Sequence, residues 1–183
     1  MKTTLLRAAT IGVIAMASQA ALAADGTINI TGELTTQTCS INGAAANGAR
    51  DIAVPLQPAS QSNLSTVGST STETPFSVTL TACTPATGTV STRFESGANV
   101  DTATGELLTS GAGGSTGLHI QLLNQDRTVI VIGAPDATQN SAPGTLAAGA
   151  VTLNYIARYR RASAAALSVG AVTSSVTYSL AYN

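Results

Sequence analysis

Gly26-Thr27-Ile28-Asn29-Ile30-Thr31-Gly32-Glu33-Leu34 near the start and Val176-Thr177-Tyr178-Ser179-Leu180-Ala181-Tyr182-Asn183 at the end decide the reading of this 183-residue chain. Each alternates apolar and polar residues with period two, the pattern of a strand with one buried face. Ile28, Ile30 and Leu34 fall on one face of the first segment, and Val176, Tyr178, Leu180 and Tyr182 on one face of the second. A strand at each free end, with no residues equipped for catalysis between them, points to strands that join the chain to copies of itself.

The segment before the first strand reads as a secretory signal. Lys2 and Arg7 give a positive n-region, residues 8–17 are apolar, and Ala21-Leu22-Ala23 is a small-residue cleavage site, so the mature chain is expected to begin at Ala24. The apolar run is too short for a membrane span, which needs roughly 20 apolar residues, and no later segment approaches that length. Without residues 1–23 the chain has 160 residues, enough for one domain with a core. Six arginines then face nine acids, a net charge of −3, so no basic footprint for nucleic acid remains. The mature segment has no lysine, which excludes lysine isopeptide cross-links and leaves strand pairing and buried side chains to hold any polymer. Scarce charge with abundant Thr, Ser, Gly and Ala suits many short strands better than amphipathic helices.

Cys39 and Cys83 are the two cysteines, and in an exported protein they are expected to form a disulfide. Closing the loop of 43 intervening residues stabilises the fold by roughly 4 kcal/mol on the chain-entropy model. Zinc fails on ligand count, because two Cys and the single His119 cannot complete a four-ligand site. No metal or cofactor is expected.

Between the ends the pattern is strand, turn, strand. Residues 36–41 carry Cys39, and Asn42-Gly43 and Asn47-Gly48 are turn dipeptides. Residues 51–56 are short and apolar, ended by Pro55 and Pro58, and residues 60–74 read as an exposed loop or irregular edge. Phe76-Ser77-Val78-Thr79-Leu80-Thr81 alternates and delivers Cys83. Further strands are expected over residues 89–94, 118–123, 128–132 and 151–161, the last with Val151, Leu153, Tyr155, Ala157 and Tyr159 on one face. Strands at about ten-residue spacing, with turns between and one disulfide, indicate an immunoglobulin-like β-sandwich.

Apparent catalytic signals dissolve on inspection. Gly113-Gly114-Ser115-Thr116-Gly117 matches a nucleophile-elbow pattern, but a loop precedes it, a strand follows it, and no acid and histidine lie suitably downstream. It reads as a flexible hairpin loop. His119 alternates with Leu118 and Ile120 and is expected to face outward from its strand. Arg158, Arg160 and Arg161 form the one basic cluster and read as a solvated strand end. The chain is not expected to be an enzyme.

Ala24-Asp25-Gly26-Thr27-Ile28-Asn29-Ile30-Thr31-Gly32-Glu33-Leu34, then Cys39, then Phe76-Ser77-Val78-Thr79-Leu80 before Cys83, Gly170 fourteenth from the end and Tyr182 next to last together resemble the chaperone–usher fimbrial subunits of the type 1 pilin family. The resemblance covers the whole mature segment and is carried by its two ends. It implies an all-β, immunoglobulin-like sandwich over residues 36–183 that lacks its last strand and is completed by a donor strand from a neighbouring subunit. It implies that residues 24–35 are a donor extension, with Gly26, Ile28, Ile30, Gly32 and Leu34 in the donor strand, Ile28, Ile30 and Leu34 as its plugs and Gly32 facing a pocket too shallow for a side chain. Gly170, Val176, Tyr178, Leu180, Tyr182 and Asn183 would form the receiving edge and chaperone contact. The implied partners are a periplasmic chaperone, an outer-membrane usher and other copies of the chain in a helical fibre that supports cell adhesion, reached through the periplasm. Donor-strand complementation is one form of β-augmentation, in which an extended segment adds a strand to an exposed sheet edge.

Three other readings remain to be separated from this one. A porin-like barrel needs aromatic girdles, and the chain has no Trp, two Phe and four Tyr. A self-complete exported binding module would have no unpaired edge. A minor linker or tip-associated subunit would share the fold but not the abundance.

Overall fold

The computed structural model describes residues 38–44 and 50–183. The signal segment, all five donor-strand positions (Gly26, Ile28, Ile30, Gly32 and Leu34) and the Asn47-Gly48 turn lie outside the described residues.

Among the described residues nine strands build two sheets. β1 (Thr38–Ile41), β2 (Thr74–Thr84), β8 (Val151–Arg161), β6 (Leu118–Asn124), β5 (Glu106–Leu108) and β4 (Val100–Asp101) form one sheet in that order, and β7 (Gly144–Thr145), β3 (Thr89–Phe94) and β9 (Tyr178–Tyr182) form the other. Every strand pair among the described residues is antiparallel. The architecture is the expected all-β sandwich of immunoglobulin type.

Alternation explains the core. In β3, Val90, Thr92 and Phe94 are buried while the residues between are half-exposed, and in β8 Leu153, Tyr155 and Ala157 point inward. The two layers meet at aromatic rings: Phe94 packs edge-on against Tyr155 at 5.4 Å, and Phe76 lies 5.5 Å from the same ring. Such contacts add about 0.5–1.5 kcal/mol beyond burial. The buried amide of Gln139, held in the short helix α1 (Asp136–Gln139), accepts from Phe94 N at 2.8 Å and donates to Phe94 O at 2.8 Å, so the end of β3 is closed by a side chain.

The disulfide joins Cys39 to Cys83, with Cα atoms 4.2 Å apart. It ties the neighbouring strands β1 and β2 rather than the two sheets. Asn42 and Gly43, both at positive φ, form the predicted turn, closed by paired bonds between Ile41 and Ala44. That conformation is the one Asn-Gly favours.

Four expectations are corrected. Residues 128–132 make no strand: Ile130 N donates to Leu122 O, Val131 N to Gln139 O and Ile132 N to Gly105 O, so neighbouring backbone groups answer to different partners although Ile130 and Ile132 are buried. Residues 51–56 form no paired strand, yet Ile52, Val54 and Leu56 alternate half-buried against the core. His119 does not face solvent. β6 is buried along its whole length, and on its outer face His119 Nδ1 lies 3.2 Å from Glu106 Oε2. Arg158 and Arg160 are not a solvated strand end either: Arg160 donates to both oxygens of buried Glu106 at 3.1 and 3.0 Å, and Arg158 donates to Gln121 and Glu73. A buried carboxylate needs such partners, and a period-two pattern cannot report them.

Candidate functional site: an open groove beside the last strand

β9 pairs with β3 along one edge, from Val90 opposite Tyr182 to Phe94 opposite Tyr178. Along its other edge no described residue pairs with it. An unpaired edge is a row of free N–H and C=O groups, a template for another strand. Here it borders a groove of about 910 Å³.

The groove has two walls and an apolar floor. Val176, Tyr178, Leu180 and Tyr182 form one wall, all half-buried; Ile52, Val54 and Leu56 form the other. Val78, Phe94, Leu107, Ile120 and Leu122 line the floor and belong to the core. An extended chain laid here would therefore finish both a ladder and a core. Two tyrosines reach across: Tyr178 donates its hydroxyl to Arg50 O at 2.7 Å, and Tyr182 to Cys39 Sγ at 3.3 Å. Burial raises both phenols above the ordinary value of 10.0, against the opposing influence of Arg50.

The receiving residues named from sequence do not all lie in one place. Val176, Tyr178, Leu180 and Tyr182 come together in the wall, although Val176 precedes the paired part of β9. Asn183 continues the ladder, exchanging backbone bonds of 2.9 Å with Thr89. Gly170 lies beyond the groove, at φ +143°, where a Cβ would come within 2.7 Å of Ala112. The wall of residues 50–56 was missed as a site. Its signal was present in the alternation of Ile52, Val54 and Leu56, but prolines at 55 and 58 disguised it.

Over residues 56–183 the chain matches the family described as type-1 fimbrial protein, A. It is 41% identical over 176 residues to the major fimbrial subunit SMF-1 of Stenotrophomonas maltophilia (strain K279a), covering 93% of this chain and 100% of that protein. It is 37% identical over 178 residues to the F17 fimbrial protein of Escherichia coli, covering 94% and 96% of the two. Among solved structures, the P pilus rod subunit PapA superposes with a TM-score of 0.60 at 25% identity, covering 80% of this chain and 99% of that one. A chaperone–usher pilus subunit shares the fold with a TM-score of 0.60 at 23% identity, covering 87% and 96%.

Proposed function

As this chain belongs to the type-1 fimbrial protein family, we propose that its groove receives residues 24–35 of a second copy, and that this exchange builds the fibre. A member of this family is a structural subunit of a surface fimbria that assembles with copies of itself, not an enzyme. The single observation that carries the proposal is the free edge of β9 over an apolar floor.

Antiparallel to β9, in keeping with every described strand pair, the donor strand would set Leu34 beside Val176, Gly32 beside Tyr178, Ile30 beside Leu180 and Ile28 beside Tyr182. Tyr178 is tied across the groove to Arg50, so the position beside it has little depth, and a glycine there avoids a clash. Full burial of Ile28, Ile30 and Leu34 gives about 1.5–3 kcal/mol each, roughly 5–9 kcal/mol in all. Association itself costs about 4–15 kcal/mol. The plugs therefore do not hold the fibre alone. Ladder hydrogen bonds add to them, and release requires part of the domain to open, so the fibre persists through a high barrier to dissociation. Donor and acceptor surfaces differ, which makes the contact heterologous and the polymer an open helix.

On this reading residues 1–23 are a signal peptide, residues 24–35 the donor extension and residues 36–183 the incomplete domain. A periplasmic chaperone occupies the groove before assembly, an outer-membrane usher catalyses the exchange, and the fibre supports adhesion. The 100% coverage of a major subunit supports a shaft role. Deleting residues 24–35 tests it: the truncated subunit still copurifies with its chaperone, and electron microscopy finds no fibres. Long fibres from the truncated chain would reject the proposal.

A further inference from the structure

Beyond the end of the groove near Val176, both walls continue into a second hollow. The wall of residues 50–56 runs on to Pro58 and Gln61, and the chain leading into β9 comes from Leu167, Gly170 and Val172; these residues line a hollow of about 430 Å³. Leu64, Leu118 and Tyr159 line it beside Ser60 and Ser168, so its surface is more apolar than polar, and Gln61 bridges its walls through a 2.9 Å bond to Leu167 O. Val169 stands at its rim, 82% exposed, the most exposed large apolar residue described.

We propose that this hollow is a second contact between consecutive copies in the fibre, seating the turns beside β1 of the copy that donates its strand. The inference rests on the donor-strand reading and adds a surface to it. An antiparallel donor brings Leu34 to the Val176 end, and β1 of its own domain begins at Thr38. Four residue steps span at most about 14 Å when fully extended. The body of the donating copy is thus held at this mouth and cannot avoid it. The part of that body nearest its own Thr38 is set by register: Thr38 pairs with Thr84, which leads into residues 85–87, and Gly149 N donates to Ala86 O at 2.9 Å, joining that turn to residues 147–150. Pro85, Ala86, Ala148 and Ala150 are exposed, small and uncharged, the chemistry accepted by a hollow that is more apolar than polar and carries no charge. Exposed apolar surface beside an interface that must bring another body close is a contact surface.

The test uses the full chain with Val169→Cys and Ala86→Cys together and each alone. Purified fibres are oxidised and boiled in detergent without reductant. The double variant is expected to give a covalent ladder that collapses with reductant, and the single variants only monomer. Fibres of normal length with no ladder in the double variant overturn the proposal while leaving strand exchange standing; fibres formed by a chain lacking residues 24–35 overturn the strand reading itself. Should the added thiols disturb the Cys39–Cys83 pairing, Val169→Asp decides instead. It should leave the unboiled ladder of strand-exchanged multimers intact but cause a loss of stiffness in electron micrographs. Wild-type stiffness, the outcome if something other than a second copy fills the hollow, rejects the proposal.

Discussion

β8 and β9 carry the same period-two alternation in sequence and meet opposite fates. β8 pairs with β2 on one side and β6 on the other, and its inward Leu153, Tyr155 and Ala157 are only 4%, 1% and 3% exposed. Among the described residues β9 pairs with β3 alone, and Tyr178, Leu180 and Tyr182 stop at half-burial. Alternation states that a strand has an apolar face. It does not state whether the same chain supplies what covers that face, and the difference between the two strands is the difference between a finished core and an open groove.

The comparison can be broken most severely at the disulfide that ties β1 to β2 and encloses the 50–56 wall. Replacing Cys39 and Cys83 by Ser should cost about 4 kcal/mol, read as a large drop in unfolding midpoint by circular dichroism and in exported yield. Free thiols in the wild-type protein by mass spectrometry would contradict the premise. Next, Leu153→Ala in β8 should lower subunit stability by about 2–5 kcal/mol in denaturant titration, whether or not fibres have formed. Leu180→Ala in β9 should cost the unassembled subunit much less and the fibre more, seen as easier dissociation in detergent. Equal effects in both states would erase the distinction drawn here.

Gly32→Asn tests the proposed register and should slow exchange by overfilling the position beside Tyr178, at about 1–3 kcal/mol, with Thr31→Asn on the opposite face as control. Fibre growth followed by light scattering separates them, and equal behaviour of the two variants would refute the register. The smallest effect is in the tyrosines. Their folded values are raised, so the stability they contribute is complete below pH 10.0 and is lost as pH rises through the higher folded values. Absorbance titration should find Tyr178→Phe and Tyr182→Phe each removing a late-titrating phenol; loss of an ordinary phenol instead would deny the burial.

Much of this was legible in the chain. The limits of β3 and β8, the Asn42-Gly43 turn and the cysteine pairing follow from local pattern and compartment. What escaped depends on distant neighbours. His119 looks like an outward strand residue until Glu106 and Arg160 are brought beside it by strands 13 and 41 positions away in sequence. Residues 128–132 look like a strand because Val129 to Ile132 is an unbroken run of β-branched apolar residues, but their backbone bonds are shared among β6, the last residue of α1 and the turn at Gly105. Residues 51–56 look like a broken strand and form a wall, because what they pack beside is a gap.

The central claim is that residues 24–35 of one copy fill the groove beside β9 of another. Hydrogen exchange read by mass spectrometry, comparing unassembled subunit with fibre, tests it most directly. The account predicts that peptides covering residues 24–35 gain strong protection on assembly while peptides covering β8 keep the protection they already have. Unchanged exchange across residues 24–35 in well-formed fibres would contradict it.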